Sequence, residues 1–410
     1  MVDMHPEVPP AQRVMELERT YLLQNYARYP LALKRGRGCW LYDLDGRRYL
    51  DLITGIGVNA LGHAHPRIVR VIREQASLLI HSSNLYYHEY QGPLAKKICD
   101  TSGMQRVFFC NSGTEAIEAA IKMARARGRK IYPEKIELIA FENSFHGRTM
   151  GALSITGQPK YREPFEPLLP GARILSPCDD AALEQAAGPR TAAIFAEPIQ
   201  GEGGIYPMSA GWLRRLRQLA DRHDALLVFD EIQCGIGRPG TYHAYQLHEP
   251  PVMPDIVTLA KPIAAGLPLG AVACTEKAAA SIGPGMHGTT FGGGALACRV
   301  ALEFYAILEE LLPQMRRVSA HFFSGLQGLH REFPFIREVR GAGLMIGVEL
   351  DFPCKHLVQA GMEQGLLFNV THDTVIRMLP PYILTEKEAD RALAGLRKVF
   401  RAAKPASAGA

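Results

Sequence analysis

The chain has 410 residues, is 47% hydrophobic and 21% charged, and carries a formal net charge of +5, the profile of an ordinary globular protein of two or three domains. No Lys/Arg run marks a nucleic-acid or heparin site, and no uncharged apolar run reaches the length of a membrane span. The eight cysteines are scattered, with no C-x-x-C pair and no Cys/His quartet, which argues against structural zinc or a disulfide framework and for a reducing compartment, the cytoplasm.

Residues 1–30 hold acids and bases but no apolar core segment, so a secretory signal is not expected. They read as a surface arm followed by a short helix over Val14–Tyr26. Leu33 to Leu52 reads as strands turned at Asp45-Gly46, a hairpin dipeptide. The glycine-rich stretch from Gly55 contains His63-Ala64-His65-Pro66. With no third ligand at suitable spacing, these histidines are expected in a packed loop and not at a metal. Pro66–Leu79 and Gln91–Cys99 have helical periodicity, and Arg106–Cys110 reads as a strand. After Asn111-Ser112-Gly113-Thr114-Glu115, the residues Ala116, Ile117, Ala120, Ile121 and Ala124 mark one apolar helix face.

Short apolar runs follow at Ile136–Phe141, Ala172–Leu175, Thr191–Ala196, Leu226–Phe229, Ile256–Leu259 and Gly270–Cys274, with helical segments such as 210–223 between several of them. Strands alternating with helices predict an α/β fold around a mostly parallel sheet. From Ala295 to Phe333 the pattern is helical; Gly343–Leu350, Leu366–Asn369 and Val375–Leu379 read as strands and Glu386–Ala403 as a closing helix. That shift predicts a smaller α+β domain at the carboxyl end, with Ala403–Ala410 frayed.

Two apolar runs stop on charged residues: Leu226–Phe229 on Asp230, Glu231 and, two residues on, Gln233, and Ile256–Ala260 on Lys261. In open α/β sheets ligands bind beyond the carboxyl ends of the strands. An acid and an amine delivered there suit an aromatic cation held by the carboxylate and an imine formed by the lysine. Apolar surroundings favour the uncharged amine that such chemistry needs. The turn Ser112–Glu115 reads as an anion cradle at a helix start, or equally as a capping box. Phe145 and Arg148, in Phe145-His146-Gly147-Arg148, suit a stacked ring and a carboxylate grip, or plain core and a helix cap. Arg377 is a charge among apolar neighbours and needs a counter-ion, from the protein or from a substrate. Gly235–Gly240 matches G-x-G-x-x-G, but Asp230–Gln233 intervene, Pro239 interrupts, and Thr241–Pro251 has no helical face. It reads as loop glycines, not as a dinucleotide fingerprint.

From Tyr29 to Phe400 these segments resemble, in order, those of the class III (subgroup II) aminotransferases of the PLP fold-type I family, and within it the acetylornithine-type branch. Gly62–Pro66, Asn111–Ala116, Ser144–Arg148, Glu197–Gly204, Val228–Gln233, Lys261, His287–Gly293 and Arg340–Leu344 carry the likeness. The resemblance implies residues 1–65 contributing to the small domain, 66–300 as the large cofactor-binding domain and 301–410 as the carboxyl-terminal small domain. It implies pyridoxal 5′-phosphate, with Lys261 as the amine that bonds to it and moves the substrate proton, and Asp230 keeping the ring nitrogen protonated. Ser112, Gly113, Thr114, Phe145, His146 and Gln233 would complete the cofactor site. Thr290 would reach the phosphate from a neighbouring subunit, implying a homodimer with shared active sites.

The substrate roles implied are Arg148 for the carboxylate of N2-acetyl-L-ornithine, Arg377 for the α-carboxylate of glutamate, Glu202 as the acid that pairs with Arg377 when no anion is there, and Thr289 near the acyl-amino end. The expected reaction moves the terminal amino group of N2-acetyl-L-ornithine to 2-oxoglutarate, a step of arginine biosynthesis. Alternatives are succinylornithine, N-succinyl-diaminopimelate, 4-aminobutyrate or ornithine as donor. Ile56 stands where ornithine-specific members carry tyrosine, which disfavours ornithine. Gly293-Gly294-Ala295 replaces the family's usual Gly-Asn-Pro.

Overall fold

A computed structural model describes residues 9–403, so the tail expected to fray lies almost wholly outside the described residues. Its largest sheet has seven strands in the spatial order Arg106–Cys110, Gly270–Cys274, Ile256–Leu259, Leu226–Asp230, Thr191–Ala196, Glu137–Phe141 and Ala172–Leu175. All run in one direction except Gly270–Cys274, which is antiparallel to both neighbours. The reversal was invisible in the pattern, because a strand buried on both faces reads alike in either direction. Its cause is the short link from Leu259 to Gly270, made of turns and too short for the helical crossover that a parallel return needs.

Leu226, Leu227, Val228 and Phe229 are all fully buried, and alternate residues face opposite sides. Leu227 and Phe229 join Leu213, Leu216 and Leu219 of the helix Ala210–Arg222. Leu226 and Val228 join Ala116, Ile117, Ala120, Ile121 and Ala124 of the helix Gly113–Ile131, the face that the periodicity predicts. Burial of each such large side chain is worth about 1.5–3 kcal/mol, so this strand is anchored along its whole length. Its last residue is the acid.

A second core lies among the helices Ala295–Glu332 and Glu386–Ala402 and two four-stranded sheets. One sheet combines Leu33–Arg37, Trp40–Asp43 and Arg48–Asp51 with Leu366–Leu367, so strands from the two ends of the chain pair. The other is antiparallel: Ile336–Ala342, Met345–Leu350, Val375–Met378 and Asn369–Thr371. The helix Ala295–Glu332 runs through the boundary placed at residues 300/301.

Several expectations shift. The first helix is Pro10–Tyr21, not Val14–Tyr26: a proline sits at its start, where no N–H is needed, and Leu22 is already extended. The strand Ile336–Ala342 lies where the pattern predicts none, because Arg337, Glu338 and Arg340 interrupt its apolar run. At the departure from Gly-Asn-Pro, Gly294 caps the long helix with no side-chain hydrogen bond, a loss of only a few tenths of a kcal/mol relative to asparagine.

Candidate active site

Because the strands ending at Cys110, Phe141, Ala196, Asp230 and Leu259 run the same way, their carboxyl ends meet along one sheet edge. A cavity of about 260 Å³ opens there, lined by Gly113, Thr114, Phe145, His146, Gly147, Arg148, Glu197, Glu202, Asp230, Ile232, Gln233, Ala260 and Lys261. Most residues singled out in the sequence thus share one wall. Ser112, Thr289, Thr290 and Arg377 do not line it. Ser112 caps the helix Gly113–Ile131, its hydroxyl accepting from the Glu115 N–H at 3.3 Å. The capping box is incomplete, since the Glu115 carboxylate instead accepts from the Asn111 backbone N–H at 2.6 Å and its side-chain amide at 3.0 Å. Thr289 accepts from the Asn111 amide at 3.0 Å, and Thr290 is exposed.

Asp230 is 3% exposed and held from three directions. Its Oδ1 accepts from the Ile232 N–H at 3.0 Å and the Thr258 hydroxyl at 3.3 Å, and its Oδ2 lies 2.8 Å from His146 Nδ1. The register pairs Phe229 with Ala196, so the next residues, Asp230 and Glu197, stand side by side. Glu197 accepts from the Phe145 N–H at 2.8 Å and the Gly201 N–H at 3.0 Å. Burial first, and then the charge of Asp230, push the Glu197 carboxyl up to about 7 against the pull of His146 and the two N–H groups. Burial alone would lower His146, but the hydrogen bond and charge of Asp230, with Glu197, leave it above the ordinary imidazole range. In the sequence Glu197 only opens the segment Glu197–Gly204; its place beside Asp230 needs the strand register.

Lys261 follows the neighbouring strand. Burial holds its amine below the usual lysine range, with Arg377 adding to this and Glu202, Asp230 and Glu197 opposing it. Behind the cavity wall Arg377, 1% exposed, forms an ion pair with Glu202. It also donates to Asn369 Oδ1 at 3.1 Å, Gln233 Oε1 at 3.2 Å and the Gly201 carbonyl at 3.4 Å. Burial would raise Glu202, but the charges of Arg377 and Lys261 and its hydrogen bonds keep it below the usual carboxylate range. Gln233 is therefore engaged within the protein, its amide donating to Glu202 at 3.4 Å. Arg148 is exposed and lies over the Tyr161 ring.

At the cradle, a Cβ on Gly113 would stand 2.8 Å from Ile232, and one on Gly147, at φ +142°, 2.2 Å from Thr114 Oγ1. Only glycine brings the helix start and the Phe145–Arg148 loop so close. Thr114 and Thr149 hydroxyls are 2.8 Å apart. Elsewhere, Gly235–Gly240 is a run of turns with Arg238 buried inside it, donating to the carbonyls of Leu344, Pro380 and Gly57. No helix opens there. His63 pairs with Asp51 at 2.8 Å, and Ile56 is half-exposed at φ +61°. All eight cysteines are free, and no helix among the described residues is long and apolar enough to cross a membrane.

Comparison with known proteins gives this geometry its context. Residues 21–400 match the family model described as aminotransferase class-III. The acetylornithine aminotransferase of Methanocaldococcus jannaschii is 46% identical over 94% of this chain and 97% of its own, and that of Aquifex aeolicus is 45% identical over 93% and 100%. Among solved structures, the ornithine aminotransferase of Toxoplasma gondii superposes with a TM-score of 0.90 at 34% identity, covering 97% of this chain and 96% of the other. The N-acetylornithine aminotransferase of Stenotrophomonas maltophilia does so with 0.81 at 36% identity, covering 95% and 98%.

Proposed function

The chain belongs to the class-III aminotransferases, and on that premise we propose that it moves the terminal amino group of N2-acetyl-L-ornithine to 2-oxoglutarate with pyridoxal 5′-phosphate as cofactor. The observation that carries the reading is one cavity holding the Lys261 amine and the fixed Asp230 carboxylate, with the Glu202–Arg377 pair behind them. The curated relatives named above support the donor.

The residues present fit the cofactor. A helix start with free N–H groups at Gly113 and Thr114 suits a phosphate. Asp230, the acid at the cavity floor, suits a ring nitrogen, and Phe145 offers an aromatic face. When bound, pyridoxal phosphate supplies an aldehyde that takes up an amino group and a cationic ring that accepts the electron pair released at the substrate carbon. The protein does the rest. Asp230 holds the proton on the ring nitrogen, and His146 fixes the carboxylate that does so. Lys261, with its depressed proton affinity, presents a nucleophilic amine and then carries the proton to and from the substrate carbon. Gln233 lines the same wall, and its amide would hydrogen-bond the ring oxygen on release from Glu202.

Two substrates must share one pocket. Acetylornithine has one carboxylate, far from its reacting amine, and Arg148 receives it. Glu202 meanwhile keeps Arg377 from being a buried unpaired charge. Glutamate brings a second carboxylate, and Arg377 takes it once Glu202 gives way. Thr289, which does not line the cavity, would contact the acyl-amino end. Ornithine is the competing donor, and Ile56 offers its free α-amino group no polar partner.

A homodimer completes the site in this reading, with Thr290 donated across the interface. Leu78, Ile80, Leu85, Tyr86, Tyr87 and Phe291 are exposed apolar residues, and Asn84 ties their segment to the Thr289 and Gly292 carbonyls. Exposed apolar patches of this kind mark association surfaces. Two cores, one around the large sheet and one at the carboxyl end, support a large and a small domain, the long helix passing from the first core to the second between Met315 and Val318 and not at 300, and free cysteines support a cytoplasmic setting. The test is a single turnover: acetylornithine alone, mixed with the loaded enzyme, bleaches the cofactor's visible band. If ornithine or 4-aminobutyrate does so far faster at equal concentration, the donor is wrong.

A further inference from the structure

The Arg148 guanidinium carbon stands 3.8 Å from the centroid of the Tyr161 ring and 5.5 Å from that of Phe145. The two rings meet edge to face, 6.1 Å apart with 86° between their planes. Among the described residues Arg148 has no carboxylate partner, so the corner of these rings is what holds it. Lys160 lies 5.0 Å from the same Tyr161 ring, but its ammonium is a point charge with no plane to orient. Tyr161 belongs to the short turn Pro159–Arg162, its N–H bonded to the Gln158 carbonyl at 3.1 Å.

A guanidinium lying on an aromatic face is held by its plane and keeps its N–H edges free. A carboxylate approaches those edges in the plane, with two parallel hydrogen bonds. The ring beneath therefore decides the direction from which a carboxylate is gripped. We propose that Tyr161 is the positioning residue for the substrate carboxylate, its ring fixing the Arg148 guanidinium in the plane that receives it. The proposal deepens the reading in which Arg148 binds that carboxylate, and rests on it.

The experiment compares N2-acetylornithine with N-acetyl-1,4-diaminobutane, the same molecule without its carboxylate, as donors for the holoenzyme. Tyr161→Leu is expected to lower the preference for the carboxylated donor about two- to thirtyfold, the range of a cation–π contact from exposed to desolvated settings. The loss should sit in KM with kcat little changed, and the decarboxylated donor should be unaffected. Tyr161→Phe, which keeps the ring, should keep the preference. Calorimetric titration of the holoenzyme with glutarate reads the same contact without turnover, and Tyr161→Met provides a second ring-free variant should the leucine protein not fold. Equal losses with both donors, or an unchanged preference and glutarate affinity, overturn the role of Tyr161. Arg148→Leu separates the two layers. If it abolishes the preference while Tyr161→Leu does not, only the positioning role falls; if it leaves the preference intact, the assignment of Arg148 falls and this proposal with it.

Discussion

Replacing Glu202 by alanine strips Arg377 of its one charged partner among the described residues. Arg377 is 1% exposed, and what remains are neutral acceptors: Asn369 Oδ1 at 3.1 Å, Gln233 Oε1 at 3.2 Å and the Gly201 carbonyl at 3.4 Å. Breaking a buried pair costs about 3–5 kcal/mol. The Glu202 side chain is 23% exposed and borders the cavity, so water relieves part of that, and about 2–3 kcal/mol is the fitting figure. The loss falls on the empty site alone. A dicarboxylate that places an anion on Arg377 restores the charge balance, and no longer has to displace Glu202. Thermal unfolding of the holoenzyme with and without glutarate measures the first effect: Glu202→Ala melts lower than the parent, and glutarate raises it by more. Half-reaction kinetics measure the second. At about 1.4 kcal/mol per decade, glutamate should gain tenfold or more over acetylornithine in kcat/KM. Glu202→Gln, which keeps the shape and an acceptor, should fall between. If glutarate stabilises the variant no more than the parent, and both half-reactions change alike, the competition for Arg377 is not how this site accommodates two substrates.

Lys261 reacts as the free amine, so capture of pyridoxal phosphate by the apo chain, trapped with borohydride, should rise with pH through a midpoint below the ordinary 10.5. Glu202 is the strongest influence opposing that depression; Glu202→Ala should move the midpoint lower, and a midpoint that stays or rises refutes the coupling. Glu197, held at about 7 against an ordinary 4.5, favours the fold in its protonated form. Its contribution is whole below pH 4.5 and is lost as pH rises through about 7, at most about 3 kcal/mol. Asp230→Asn removes one cause of that shift and of the raised His146, which acts in the same direction. Urea unfolding of the apo chain across this window should therefore show a flatter decline, and an unchanged slope contradicts the pairing. Tyr87→Asp places a charge on the exposed apolar patch. Sedimentation should show a monomer with weakened cofactor binding, and a variant that stays dimeric excludes this surface from the interface.

The core of the site was readable because Asp230 and Lys261 each end a run of apolar residues. A strand buried on both faces announces its carboxyl end when the first charge appears, and parallel neighbours bring such ends together. What stayed hidden depends on which strand lies beside which. Glu197 closes the run Thr191–Ala196 in the same fashion as Asp230 closes its own, but only the pairing of Ala196 with Phe229 sets the two acids side by side. Tyr161 sits in a polar turn with no periodicity, and nothing near it in the chain points to Arg148. The direction of the strand Gly270–Cys274 and the presence of the charge-interrupted strand Ile336–Ala342 are hidden for the same reason. Their partners, not their own residues, decide their direction and pairing: Arg340 is tolerated inside because Glu338 and Glu349 meet it from its own and the adjacent strand. Composition along one strand thus locates the chemistry, and register between strands tunes it. A change confined to register, such as a one-residue slip of Thr191–Ala196, would leave every catalytic side chain in the sequence while moving Glu197 from beside Asp230 to the opposite face of the sheet.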